Sequence, residues 1–357
     1  ELTIGCEGCH GPGEAHIAWT AKQEDADLDR WPGVAANGLL QPEAKDRQTA
    51  EQDMCGPCHA RREAHTANST LPTAPFGDHY GLSALRQGLY FPDGQQDAEV
   101  YILGSFLQSK MHEKGVTCSN CHDPHSARLI AEGNAVCTQC HNEAGHEGFA
   151  TLKPKNYDSP AHHHHTPESA GAKCVSCHMP ERNYMVVDGR RDHFFRIPDP
   201  VLSEKVGSPG ACLGCHADKT ASWAAASIDT WAPDRTAPDQ VRGLLFSDVQ
   251  QKGLDPERIA ALVALGQDQT RPDLVRASAL GEIADAADAA TLQSVAGLLA
   301  DESDLVRAAA VRLYRSAPPQ ERVELLQPML ADPVATVRIA VALEWTCRGS
   351  VQVRCSC

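Results

Sequence analysis

Aromatic residues are scarce in this chain, at 5% of 357 positions. A chain of this length is long enough for two domains with sizeable cores. The shortage of large rings therefore predicts that something other than side chains fills part of the interior. No apolar run approaches the ~18 residues that a membrane span needs. Positive charge is also in deficit: 32 Lys and Arg against 47 Asp and Glu leave a formal charge of −15. Nucleic acid and anionic membrane surfaces both require a cationic face, so that balance argues against either as the main partner.

Cysteine and histidine, by contrast, are abundant, at 15 and 17. The central stretch Val116–His141 reads VTCSNCHDPHSARLIAEGNAVCTQCH and holds two CxxCH motifs with one further histidine, His125, between them. Two thiols three apart with an imidazole directly after the second form the attachment signature of a c-type haem. The thiols bond to the porphyrin edge and the histidine reaches the iron from one face. The same motif occurs six times, as Cys6/Cys9/His10, Cys55/Cys58/His59, Cys118/Cys121/His122, Cys137/Cys140/His141, Cys174/Cys177/His178 and Cys212/Cys215/His216. Zinc knuckles pair CxxC units without needing a histidine after the second cysteine, and here it follows every time. Cys55-Gly-Pro-Cys58 shares the frame of a thioredoxin dithiol, but His59 follows it in a chain with five similar motifs. The cofactor expectation is six haem c, with His10, His59, His122, His141, His178 and His216 as proximal iron ligands.

The chain changes character partway along. Residues 1–237 are rich in Gly, Pro, Asn, Asp and His, and read as loops and short helices too irregular to bury their own backbone around an ordinary core. Ser83–Gly88 and Val100–Lys110 are candidates for longer helices there. Six porphyrins would supply the missing apolar mass. Residues 238–346 turn to Ala, Leu, Val, Arg and Asp and contain no CxxCH. Val275, Val306 and Val337 recur every 31 residues, each followed by Arg276, Arg307 or Arg338. Second amphipathic runs cover Glu257–Leu265, Leu292–Ala300 and Val323–Leu330. Paired helices at such a period resemble short HEAT repeats stacked as an α-solenoid. The third unit has Ala335 where the others have Asp273 and Asp304. Residues 347–357 form an atypical tail with Cys347, Cys355 and Cys357, where one disulfide from Cys347 to either partner is plausible in an oxidising compartment. The expected fold class is mainly α with much irregular structure: a multihaem cytochrome c domain followed by HEAT-like helix pairs.

Several stretches carry a more specific resemblance. Cys6–His16 (CEGCHGPGEAH) looks like the CHGPGxxH signature of the multihaem cytochrome superfamily that includes the tetrahaem cytochromes of ammonia oxidisers. CSNCHDPHS (118–126), YDSPAHHHH (157–165), CVSCHMP (174–180) and RRDHFFRIP (190–198) resemble one branch of it, multihaem c-type cytochromes with C-terminal HEAT or tetratricopeptide repeats. The resemblance spans nearly the whole chain except its last dozen residues. It implies further CxxCH motifs upstream of Glu1. It also implies distal iron-ligand roles for His16, His79, His125, His193 and one or two of His162–His165. Within that run His162 and His165 are three apart and could share a helical face. His65, His112 and His146 lie outside these motifs. His125 sits too close to His122 to reach the far face of the same iron, so it is expected on a different haem. Arg190 and Arg191 are read either as partners of haem propionates or as a solvated pair, and Met179 and Met185 as core packing.

These residues predict an extracytoplasmic electron carrier, periplasmic or extracellular, since haem c is attached outside the cytoplasm. Its haems are expected to be mostly bis-histidine, with potentials set by ligands, burial and charge. Redox proteins or neighbouring copies of the chain are the expected partners, with the repeats as docking surface and a polymeric wire as one outcome. The alternative is a multihaem oxidoreductase with one open haem acting on a small nitrogen or sulfur compound. Against it stand the absence of CxxCK, the lysine-ligated variant of nitrite reductases, and the surplus of histidine.

Overall fold

The computed structural model describes residues 4–21, 34–40, 44–67, 74–233 and 240–346. The expected boundary near residue 237 and the three cysteines of the tail lie outside the described residues.

The first half is built of short pieces. Its longest helix, α1 (Arg47–His59), starts where the Asp46 side chain accepts the Thr49 amide at 2.8 Å, an N-cap that satisfies one otherwise orphaned donor. The second CxxCH motif forms its last turn. Three two-stranded antiparallel ladders punctuate the loops: β1 (Arg62–Ala64) with β2 (Tyr80–Leu82), β3 (His122–Asp123) with β4 (Arg128–Leu129), and β5 (Glu181–Tyr184) with β6 (Asp188–Arg191). Among the described residues no sheet is larger.

The second half is helical: α2 (Ala221–Trp231), α3 (Val241–Lys252), α4 (Pro256–Gln267), α5 (Asp273–Glu282), α6 (Ala289–Val295), α7 (Asp304–Leu313), α8 (Pro319–Leu326) and α9 (Ala335–Thr346). Single 3-10 segments at Ala296–Ala300 and Gln327–Ala331 extend α6 and α8. The three helices of the 31-residue repeat, α5, α7 and α9, pack side by side in that order. Val275, Val306 and Val337 are buried at equivalent places between them. The arginine after each valine makes the next link. Arg276 bonds both carboxylate oxygens of Asp301 at 3.2 and 2.5 Å, and Arg307 both of Asp332 at 2.7 and 3.0 Å.

The third repeat differs in an instructive way. Ala335 stands where aspartate opens α5 and α7, and Asp78 of the first half supplies the missing carboxylate. Its Oδ1 accepts the Ala335 amide at 2.7 Å and lies 4.0 Å from Arg338. Thr336 Oγ1 donates to the Gly77 carbonyl at 2.7 Å and sits 2.8 Å from His65 Nε2.

One hydrophobic core runs through the repeats and into the first half. Leu262, Leu274, Leu280, Ile283, Val306, Leu313 and Leu326 form its centre, and Leu85, Tyr90 and Val100 join from the other side. This contact corrects the expected helices. Ser83–Gly88 is not helical, because the Ser83 amide donates to the Arg61 carbonyl and the Leu85 amide to Ser278 Oγ at 2.8 Å. Of Val100–Lys110 only Leu103–Phe106 is helical, and a new short helix begins at Lys110. Tyr101, at φ +59°, is bridged to Ala60, and the Ile102 amide is taken by the His59 carbonyl, so no helix can start earlier.

Candidate haem-attachment sites

Each CxxCH motif lies in or beside a tight turn. The His amide returns to the carbonyl of the first cysteine in the motifs of Cys6, Cys137 and Cys212, at 2.9 Å in each. The motifs of Cys55 and Cys174 lie within helices ending at His59 and His178, and Cys118 opens a single 3-10 turn. In the helical motifs the spacing brings positions i, i+3 and i+4 to one face, so both thiols and the imidazole share a side there. That is the arrangement a porphyrin needs for two edge bonds and one axial nitrogen. Cys6, Cys58 and Cys215 are exposed and the other motif cysteines partly so, so their thiols line space that the protein does not fill. Cys215 sits in a hydrogen-bonded turn outside any helix, its amide donating to the Cys212 carbonyl at 3.1 Å. That turn still places Cys215 beside His216 and on the side of Cys212. The residues fit the cofactor.

Four motif histidines face a second imidazole. The ring centroids are 6.1 Å apart for His10 and His125, 6.3 Å for His122 and His193, 6.4 Å for His178 and His162, and 6.0 Å for His216 and His165. A metal bonded to an imidazole nitrogen on each side, at about 2 Å per bond, holds the two ring centres roughly 6 Å apart. The spacing therefore leaves room for one ion between the rings and no more. Several of these rings are oriented from behind. Nδ1 donates to a backbone carbonyl in His165 (to His163), His178 (to Arg196) and His193 (to Arg191), at 2.5, 2.9 and 3.0 Å. Such a bond fixes the tautomer and presents Nε2 as the ligand atom. Burial pushes the pKa of His162 and His193 down to about 4, with His178 and His122 adding their repulsion. Both rings are therefore neutral at pH 7, the form that binds a metal.

The remaining histidines divide by what holds them. His16 Nδ1 donates to the Asn37 carbonyl at 2.7 Å, and its ring lies beside Trp19. His79 lies beside Tyr80 and next to Asp78, which caps α9. His65 and His112 have Nε2 engaged by Thr336 and by Gln52. His164, in the left-handed region at φ +54°, stacks on Trp231 at 4.4 Å. Among the described residues no second imidazole ring faces His59, and the ring nearest His141 is Tyr157, edge-on at 5.6 Å.

His125 owes its direction to the β3–β4 hairpin. His122 is on the ladder, while His125 is in the loop, where Asp123 Oδ1 accepts its amide at 3.2 Å. The loop turns its ring away from His122 toward His10. Arg190 is bonded to Glu99 and Asp188, and Arg191 to Glu181, so the two are not a merely solvated pair. A further expectation is corrected. Met185 is not core packing but is exposed at the tip of the β5–β6 hairpin.

Sequence reading missed the polar residues that tie one motif to the next. Glu51, on α1, accepts both the Ser119 amide and hydroxyl, at 2.9 and 2.5 Å. The Gln139 side chain donates to the Asn120 carbonyl at 2.9 Å. Asn134 accepts the Cys174 amide at 3.0 Å and donates to the Ala172 carbonyl at 2.9 Å. Ser119, Asn120 and Gln139 occupy the variable positions inside CxxC, where spacing alone carries no signal.

Comparison with known proteins agrees with the motif chemistry. Residues 111–146 match the family model of the doubled CXXCH motif. No curated protein matches the chain in sequence. Among solved structures it is similar to the outer cell wall cytochrome OcwA, at 17% identity and a TM-score of 0.46, over 95% of this chain and 70% of that one. No helix among the described residues is long and apolar enough to cross a membrane. The doubled motif, with the same CxxCH spacing elsewhere in the chain, marks this as a haem c-binding chain.

Proposed function

We propose that this chain is an extracytoplasmic, periplasmic or extracellular, electron-transfer protein that relays electrons through six covalently attached haems c. His10, His59, His122, His141, His178 and His216 are the proximal ligands. His125, His193, His162 and His165 close the irons of His10, His122, His178 and His216, and His16 and His79 remain for the other two. The observation that carries this reading is the set of four imidazole pairs at 6.0–6.4 Å. Haem c supplies a one-electron couple on iron, and the protein's part is to hold the rings, fix their tautomers and exclude water. At the four paired sites both imidazoles would be taken by the iron, leaving no place for a substrate there, which suits a carrier. The repeat helices, with their shared Val-Arg pattern, support a HEAT-like solenoid as docking face for redox proteins or for further copies of the chain.

Intact mass and a pyridine haemochrome assay are expected to count six haems. The oxidised spectrum is expected to be low-spin throughout, and the reduced protein to bind no carbon monoxide. Fewer haems would sink the count, and a high-spin band the ligand set. The second reading, an oxidoreductase with one open haem acting on a small nitrogen or sulfur compound, draws on the lack of a facing imidazole at His59 and His141 among the described residues. Carbon monoxide binding to one haem would favour it. A polymeric wire predicts species larger than one chain in light scattering at high concentration, and monomers alone would exclude it.

A further inference from the structure

The contacts between motifs follow the chain, each motif touching the next. The motif of Cys6 shares a cavity with α1, whose lining brings His10 together with Arg47, Ala50 and Met54, and the Cys9 thiol lies near Cys58. Glu51 ties α1 to Ser119, and the thiols of Cys55 and Cys118 are neighbours. Gln139 binds Asn120, and Cys121 neighbours Cys140. Asn134 binds the Cys174 amide, and Cys137 neighbours Cys174. Cys177 neighbours both Cys212 and Cys215, and His162 and His165, three residues apart, face His178 and His216.

A pattern emerges from these pairs. The motifs of Cys55, Cys118, Cys137 and Cys174 each have cysteine neighbours in both the preceding and the following motif, with Cys55 and Cys137 near both. Because the thiols mark the porphyrin edge in haem c, neighbouring cysteines mean neighbouring edges. At the N-terminal end the file folds on itself: His125, from the loop after the third motif, faces His10, so the first three motifs form one group. The fifth and sixth form another. Other ties between the groups are backbone-mediated: the Arg196 carbonyl holds His178 Nδ1, and Arg191 donates to the Met179 carbonyl and the Asp192 amide to the Pro180 carbonyl, all near His193. Those links run behind the ligands and bring no cysteine of one group near a cysteine of the other.

Resting on the six-haem reading, we propose that the motif Cys137–His141 is the sole bridge between two haem groups, one of His10, His59 and His122, the other of His178 and His216. Cys140 meets the first group at Cys121, and Cys137, also near Cys121, reaches the second group at Cys174. Cys137, Cys140 and His141 would hold the haem that joins the two groups, and a haem bound there would supply the one-electron couple between them.

Iron positions in the haem-loaded protein, determined by electron cryomicroscopy, test the order directly. The iron of His141 is expected to be the nearest neighbour, across the groups, of both the His122 and the His178 irons. An iron of His122 closer to that of His178 than to that of His141 would overturn the proposal. The double variant Cys137→Ser/Cys140→Ser is expected to carry one haem fewer by intact mass. With a photoreductant attached to an Ile17→Cys variant, three haems should fill in a fast phase and the other two only slowly, whereas the parent fills without that break. Filling of all five in one phase would also overturn it. If the double variant does not fold, the iron positions decide alone. A haem count other than six in the parent protein marks failure of the underlying reading, and six haems in a different order marks failure of this one.

Discussion

At the scale of single residues, histidine chemistry depends on what lies behind the ring. His125 is exposed and lies 4.0 Å from Asp123, yet the hairpin turns it toward His10. His125→Ala is expected to convert one low-spin haem to high-spin and leave the others unchanged, as read by electron paramagnetic resonance. An unaltered spectrum would remove His125 from the ligand set. Asp53 offers a pH prediction. Burial pushes its carboxyl up to about 6, and the charges of Asp304 and Asp78 add to the effect, against the Phe76 amide bonded to it at 2.7 Å. The fold therefore favours the neutral acid. The stability it contributes is complete below its unfolded value of about 4 and is lost as pH rises through about 6. Asp53→Asn keeps an acceptor for Phe76 and is expected to flatten the fall of the thermal midpoint between those pH values. A slope equal to the parent's would assign that pH dependence to other groups.

Elements show how a repeat is completed by a foreign residue. Asp273 and Asp304 open α5 and α7, but α9 opens with Ala335 and borrows Asp78. Asp78→Ala should cost about 1 kcal/mol, the size of a lost helix cap, seen as a lower denaturant midpoint. Ala335→Asp in that background should recover part of it. The Arg276–Asp301 pair is a heavier element, since both side chains are nearly buried, at 4% and 5% exposure. Arg276→Ala strands a buried carboxylate and should cost about 3–5 kcal/mol. Replacing both partners with apolar residues of similar volume should cost far less. Equal losses in the single and double variants would mean that the pair adds no buried charge penalty.

On the scale of the whole molecule, the two compositional halves share one core. Leu85, Tyr90 and Val100 pack with Leu262 and Leu274, and Arg242 bonds Gln108 across the same boundary at 2.9 Å. Leu274→Ala should cost about 2–5 kcal/mol and should lower the helical and the haem melting transitions together, followed by circular dichroism and the Soret band. Separate transitions would show that the halves fold independently. The shared core also explains what pattern reading got wrong. Ser83–Gly88 carries helix-compatible residues, but its amides are claimed by Arg61 and Ser278. The 31-residue recurrence of valine and arginine, by contrast, was readable because local period and burial agree there, with Val275, Val306 and Val337 all buried.

By itself the sequence determined the haem chemistry and the helical repeat. Covalent attachment needs two thiols and an imidazole at fixed local spacing, and an amphipathic helix needs only its own periodicity. Tertiary structure alone decided which imidazole faces which, because the partners are far apart in the chain: His10 with His125, His122 with His193. It alone placed Asp78 on the third repeat and Glu51, Gln139 and Asn134 between motifs. Those ties are one or two hydrogen bonds between residues 19 or more positions apart, and no spacing in the chain encodes them.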